Sequence, residues 1–235
     1  MAKTQSHERP YHHGDLRRAI VKAALEILHE TQSLEFSLRD LARRAGVSHN
    51  APYKHFADKR ELLTAVSAAG FEMLTKRMAH KTAGLSNARE QLFAMLRAYI
   101  DYGVESPALY NLMFGGYLGG PDRSRPAIEL AEAEKTKALL KGVIVAGGLG
   151  RAIPDTSRNE RKIAGAILAC WSLVHGLTLL LADGLVGPRK KSGALSDSLV
   201  QGMLDGLAVE LPVLPPGTWV GPQVPESPRP ATSNA

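Results

Sequence analysis

The stretch LRDLARRAGVSHNAPYKHF, residues 38–56, leaves the chain few folding options. Leu38, Leu41, Ala42 and Ala45 recur at helical spacing and form one inward face. Ser37 stands just before them as a cap, and Asp40, three residues on, completes a variant of the capping box. Gly46 follows, a residue that enters left-handed backbone without a steric penalty and so ends a helix. Val47 plugs the junction, and Ala42 is small enough to let a second helix cross closely above it. Ser48 is placed to cap that second helix. Pro52 falls near its first turn, where a missing N–H matters least, and is expected to pack inward and fix the helix start. Two short helices joined by a tight glycine turn make a helix-turn-helix, whose second helix lies in a DNA major groove with its N-terminal residues at base edges.

The side chains suit that placement. Asn50 can pair with N6 and N7 of adenine, a contact worth about 1–3 kcal/mol of discrimination. His49 can donate to guanine N7 or to a phosphate. Tyr53 and His55 sit further along, within reach of phosphates or a thymine methyl. Lys54 and Lys59 can neutralise phosphates, and Ser37 marks a helix N-terminus that could face one. Phe56 is read as a core anchor. A polar surface helix in a bundle would also show helix–glycine–helix spacing. The small residues at the crossing and the donors gathered on the second helix favour the DNA reading.

Elsewhere the periodicity is helical throughout. Leu16, Ile20, Ala24, Ile27 and Leu28 form a stripe over about 14–31, and Asp58 with Glu61 caps a helix near 58–80. Further helices are expected near 87–103, 107–117, 125–147, 158–184 and 194–210. No run alternates as a strand between hairpin turns. The fold class is therefore all-α, with about nine helices: an N-terminal three-helix domain over 1–60 and a C-terminal bundle over 61–211, the helix near 58–80 linking them. Residues 212–235 hold seven of the fourteen prolines and read as an extended or disordered tail, in which Trp219 is a conceivable docking residue.

Several classes are disfavoured. The net charge of +6 permits a polyanionic partner, but the first 64 residues carry eleven Lys/Arg against eight Asp/Glu, so any footprint depends on placement of charge. The single cysteine, Cys170, lies in an apolar run, which excludes an internal disulfide and reads as a buried thiol suited to a reducing cytoplasm. The N-terminus has no apolar signal core. The apolar stretch 163–181 is interrupted by Gly165, Ser172, His175, Gly176 and Thr178, and reads as a buried helix, with no membrane expected. His12-His13 lacks acidic or cysteine partners at ligand spacing, so no metal and no cofactor are expected; an N-terminal arm on phosphates beside Arg17 and Arg18 suits these residues better. GGYLGG at 115–120 and GGLG at 147–150 lack the Lys-Ser/Thr of a phosphate loop and read as loops. No metallohydrolase, serine-elbow or Cys–His constellation is present, so no catalytic residues are named and an enzyme is not expected.

The residues LRDLARRAGVS, the Tyr53…His55-Phe56 triplet and the run Asp58-Lys59…Glu61-Leu62-Leu63 together resemble the TetR family of transcriptional regulators. The pattern departs at Pro52, where Leu or Ile is usual, and at Ala51, often Thr. Tyr11-His12-His13-Gly14-Asp15-Leu16, Tyr110…Met113-Phe114-Gly115 and Trp171…His175-Gly176 are similar to the subgroup with a Trp–His–Gly C-terminal domain. The resemblance implies a homodimer on a palindromic operator, usually a repressor, released when an unknown small-molecule effector binds the C-terminal domain. An activator, or a helical sensor or enzyme without DNA binding, remains the alternative.

Candidate effector residues cluster. Tyr99, Tyr102, Tyr110, Met113 and Phe114 fall in one segment; Trp171 and His175 share one face of a later helix. They could line an apolar pocket with a few polar handles or form a plain aromatic core. The helices near 158–184 and 194–210 are apolar over more than one face and must be covered on both sides. By resemblance they would form a four-helix dimer interface, with Gly165, Ala169, Gly176 and Gly202 permitting close approach.

Overall fold

A computed structural model describes residues 13–119, 126–146, 156–186, 198 and 201–202. Among the described residues the chain is helical, without strands. Seven α-helices run in order: α1 His13–Thr31, α2 Leu38–Arg44, α3 Lys59–Thr82, α4 Ala88–Glu105, α5 Pro107–Phe114, α6 Ala127–Ala146 and α7 Thr156–Ala182, with one 3₁₀ turn, Pro52–Lys54, between α2 and α3. Most of the expected helix over 194–210, the GGLG segment, His12 and the proline-rich tail lie outside the described residues.

Local chemistry sets the helix boundaries. Ser37 Oγ accepts from the Asp40 amide while the Asp40 carboxylate accepts from the Ser37 amide, the reciprocal capping box that starts α2. Asp58 accepts from the Glu61 amide to start α3, and Asn87 accepts from Arg89 and Glu90 to start α4. Pro107 occupies the first position of α5, where no N–H is needed.

The first three elements close over Ile20, Ala24, Leu28, Leu41 and Phe56, all nearly inaccessible to solvent. That head continues into the larger bundle through α3, which packs on α1, α4, α5 and α6. Two ties join head and bundle directly. The Arg60 guanidinium donates to the Leu118 carbonyl (2.8 Å), in the loop after α5, and the Gln32 side chain accepts from the Ala108 amide (3.3 Å), at the start of α5. α4 and α7 meet closely at Gly103, where a Cβ would collide with the Thr178 methyl and lie 2.9 Å from the Tyr110 ring.

In the single chain the helix over 163–181 is buried on one face. α7 is long and apolar enough over Glu160–Ala182 to cross a membrane by length and composition, and 39% of an 18-residue window within it is buried. Its inner face holds Ala166, Ile167, Cys170, Val174, Leu177 and Leu181, while Leu173 and Leu180 on its outer face are each 42% exposed. Ala169, Ser172 and Gly176 lie beside them on the helix surface, and nothing lies within 4 Å of where a Gly176 Cβ would be.

Candidate functional site

The turn after α2 is a Schellman motif. The Val47 amide donates to the Ala42 carbonyl (3.0 Å) and the Gly46 amide to the Arg43 carbonyl (3.3 Å), with Gly46 at φ +67°. Ala42 is buried at the crossing. The second helix differs from the expectation: it is a single 3₁₀ turn. Pro52 has no amide, so the bond it would have made to the Ser48 carbonyl is missing, and Ala51 takes that carbonyl instead (2.9 Å). Lys54 and His55 then bond three residues back, to Ala51 and Pro52. The role of Ser48 is corrected with it: its carbonyl, not its hydroxyl, receives the first amide of the turn. Pro52 is buried at the first position of the turn, as its inward packing required.

This geometry pushes Ser48, His49, Asn50, Tyr53 and Lys54 outward as one exposed surface, with His55 half-buried at its edge. Phe56 is 1% exposed, and Arg17 lies over its ring at 4.9 Å. Two residues expected at phosphates are held from within. Lys59 Nζ donates to the Leu34 carbonyl (2.7 Å) and sits 5.0 Å over the Phe36 ring, leaving two ammonium protons for an outside acceptor. Ser37 is committed to the capping box, and the Asp40 carboxylate beside it is held below the usual range by the Ser37 hydrogen bonds and then by Arg43. That carboxylate opposes a phosphate at the start of α2.

A second site lies in the bundle. A cavity of about 340 Å³ opens between α3, α4, α5, α6 and α7. Phe71 and Met78 line it from α3, Leu96 and Tyr99 from α4, Phe114 from α5, and Ile167, Trp171 and Val174 from α7. α6 supplies a stripe, Leu130, Ala133, Lys137 and Leu140, with Glu134 and Thr136 beside it. Lys137 pairs with Glu134 at 3.2 Å, and the Thr136 hydroxyl meets that of Thr75 at 2.6 Å.

Of the seven expected pocket residues, Tyr99, Phe114 and Trp171 line the cavity. Tyr110 and His175 stand behind them: Tyr110 Oη lies 2.9 Å from Tyr99 Oη and 2.5 Å from His175 Nδ1, and Trp171 Nε1 donates to Tyr99 Oη at 3.1 Å. Phe114 packs against the Tyr110 ring at 4.7 Å and that of His175 at 5.1 Å. Burial raises both tyrosine hydroxyls above their ordinary range and lowers the His175 imidazole, so the network is neutral near pH 7. Tyr102 and Met113 are corrections. Tyr102 donates to the Gly70 carbonyl (2.9 Å) with Met113 sulfur 3.9 Å away, because the tight approach of α5 to α3 at Gly70 turns both into core. The α6 wall was missed; its spacing at positions 130, 133, 137 and 140 was the available signal.

The head and its exposed turn define a helix-turn-helix DNA-binding protein, and known sequences agree. A family model described as bacterial regulatory proteins, tetR family, matches residues 20–66, and one described as tetracyclin repressor-like, C-terminal domain, matches residues 92–203. The chain belongs to the TetR family of transcriptional regulators. It is 41% identical over 66 residues to tetracycline repressor protein class C of Escherichia coli, a match covering 28% of this chain and 29% of that protein. It is 25% identical over 136 residues to the nucleoid occlusion factor SlmA of Marinobacter nauticus, covering 56% and 70% respectively. A protein of unknown function from Rhodococcus sp. RHA1 has a similar structure: TM-score 0.66, 30% identity, 87% of this chain and 99% of that one. The transcriptional regulator FadR of Bacillus subtilis, solved with stearoyl-CoA, shares the fold at TM-score 0.60 and 16% identity, over 80% of this chain and 98% of that one.

Proposed function

We propose that this protein is a homodimeric repressor, of the subgroup with a Trp–His–Gly C-terminal domain, released from a palindromic operator by a small molecule bound in the α3–α7 cavity. Residues 1–60 form its DNA-binding domain and 61–211 its effector-binding and dimerisation domain, with a proline-rich tail over 212–235. It acts in the cytoplasm and is not an enzyme.

The observation that carries the reading is the exposed turn. Asn50 and His49 face base edges, while Tyr53, Lys54 and His55 contact phosphates, with Lys59 adding a charge from a fixed position. The Ser37 contribution is limited to its backbone turn, since its hydroxyl is spent on Asp40. The half-exposed face of α7, Leu173, Gly176 and Leu180, supports pairing with a second copy. Two such heads then meet major grooves about 34–36 Å apart.

An effector releases DNA only by binding more tightly to a dimer whose heads are wrongly spaced. The test is binding to the DNA flanking the protein's own gene, by mobility shift and footprinting over a salt series. A symmetric footprint with steep salt dependence is expected. A protein that shows no salt-dependent shift on that DNA would refute the regulator reading.

A further inference from the structure

The four-residue network behind the cavity wall can hold its protons in more than one arrangement, and one of them leaves the Tyr99 hydroxyl proton for an acceptor in the cavity. Tyr110 has one hydroxyl proton and two acceptors in reach within the network, His175 Nδ1 at 2.5 Å and Tyr99 Oη at 2.9 Å. Trp171 Nε1 is only a donor, and it points at Tyr99 Oη. The neighbouring Thr178 hydroxyl gives its proton to the Val174 carbonyl (2.6 Å), while its oxygen remains a partner for Tyr110.

The two neutral imidazole tautomers satisfy the distances in different ways. With Nδ1 bare, either Tyr110 donates to His175 and Tyr99 to Tyr110, or Tyr110 donates to Tyr99 and Tyr99 to Nδ1 at 3.3 Å; every hydroxyl proton is consumed inside the network. With the proton on Nδ1, the chain runs the other way. His175 then donates to Tyr110 and Tyr110 to Tyr99, and Tyr99 Oη receives two donors, Tyr110 and Trp171. Its own proton then has no acceptor within this group except one supplied from the cavity that Tyr99 lines. These arrangements differ only in the neutral imidazole tautomer and the rotation of two hydroxyls.

We propose that the cavity takes a neutral, mainly apolar molecule bearing a hydrogen-bond acceptor, such as a ketone or ester carbonyl, and that the Tyr99 hydroxyl is the donor that selects it. This rests on the reading of the cavity as the effector site. Apart from Thr136, whose hydroxyl meets that of Thr75, the cavity wall otherwise offers apolar side chains from five helices, and its two charged residues, Glu134 and Lys137, pair with each other. A carboxylate would therefore enter an apolar site without a free countercharge in that wall, at a large desolvation cost. A saturated hydrocarbon would fill the space but leave Tyr99 in its internally satisfied arrangement.

The test uses three ligands of one ten-carbon skeleton: 4-phenyl-2-butanone, butylbenzene and 4-phenylbutyrate. Binding is read from Trp171 fluorescence in full-length protein carrying Trp219→Phe, so that one of the two tryptophans reports. Tyr99→Phe removes the donor but keeps the ring. It is expected to weaken the ketone about tenfold, the worth of one buried hydrogen bond, while butylbenzene changes less than about twofold. Loss of the Trp171 acceptor affects both ligands alike, so the ratio isolates the Tyr99 proton. As a measurement that needs no variant, the carbonyl stretch of the ¹³C-labelled ketone bound to protein with Tyr99 intact is expected below its frequency in hexane.

Equal weakening of ketone and hydrocarbon, an unshifted carbonyl stretch, tighter binding of the carboxylate, or no saturable binding of any probe would each overturn the assignment. Operator binding measured on the same samples separates the two readings. Intact salt-dependent DNA binding beside a failed ligand test removes only the ligand class, and absent DNA binding removes the regulator reading itself.

Discussion

The outer face of α7 yields a quantitative prediction. Leu173 and Leu180 are each 42% exposed in the single chain. Complete burial of a leucine side chain contributes about 1.5–3 kcal/mol, so covering the exposed portion contributes about 0.6–1.3 kcal/mol per residue. A two-fold interface uses each leucine twice, giving four side chains and about 2.5–5 kcal/mol in all. At about 1.4 kcal/mol per factor of ten, the double variant Leu173→Ser/Leu180→Ser should raise the dimer dissociation constant by about two to three and a half orders of magnitude. Sedimentation velocity over a concentration series measures the constant directly, and far-UV circular dichroism checks that the helices persist. Operator affinity should fall in parallel, because a single head contacts only one half-site. A dissociation constant within threefold of the parent, with the helices intact, would refute the assignment of this face to a second copy.

Three further predictions follow from other parts of the molecule. Asn50→Ala should lower discrimination at one operator base pair by about 1–3 kcal/mol, whereas Lys54→Ala should weaken all sequences about equally and reduce the salt slope by about one; binding to operator variants across a salt series distinguishes them. Gly103→Ala places a methyl against Thr178 and Tyr110 and should cost about 1–3 kcal/mol in thermal or urea unfolding; an unchanged midpoint would mean that α4 and α7 do not approach as described. Burial holds the His175 imidazole below its ordinary 6.5, so the unfolded chain takes up that proton first as pH falls. Its contribution is intact above about pH 6.5 and declines from there toward the lower folded value; stability profiles of the parent and His175→Asn should converge in slope above that range, and parallel slopes below it would contradict the burial.

Legibility in the sequence followed the range of the interactions. The starts of α2, α3 and α5 rest on partners within four residues, Ser37 with Asp40, Asp58 with Glu61, and Pro107, so local spacing exposed them. The length of the recognition segment did not yield to the same reasoning. Pro52 is four residues past Ser48, one step inside the position where its missing amide would be harmless, and this shortens an expected helix to one turn. The cavity was half legible. Tyr99 and Tyr102 stand three apart on α4 and read alike; only the packing of α5 on Gly70 sends Tyr102 into the core while Tyr99 meets the cavity. Lys59 was read as a free charge because its partner, the Leu34 carbonyl, is 25 residues away and belongs to the backbone, which spacing cannot reveal.

The short helix α5 is mounted differently from its neighbours. Near one end the Gln32 side chain at the end of α1 holds the Ala108 amide, and just past the other end Arg60 at the start of α3 holds the Leu118 carbonyl. Eight helical residues span about 12 Å, so these fastenings sit near opposite ends of a stiff rod whose flank carries Tyr110 and Phe114. A rod pinned at one end can swing without disturbing its support. A rod pinned at both ends passes a push on its middle to the two pins. On the proposed effector reading, pressure on Phe114 from inside the bundle would reach the head through these two fastenings, one on α1 and one on α3.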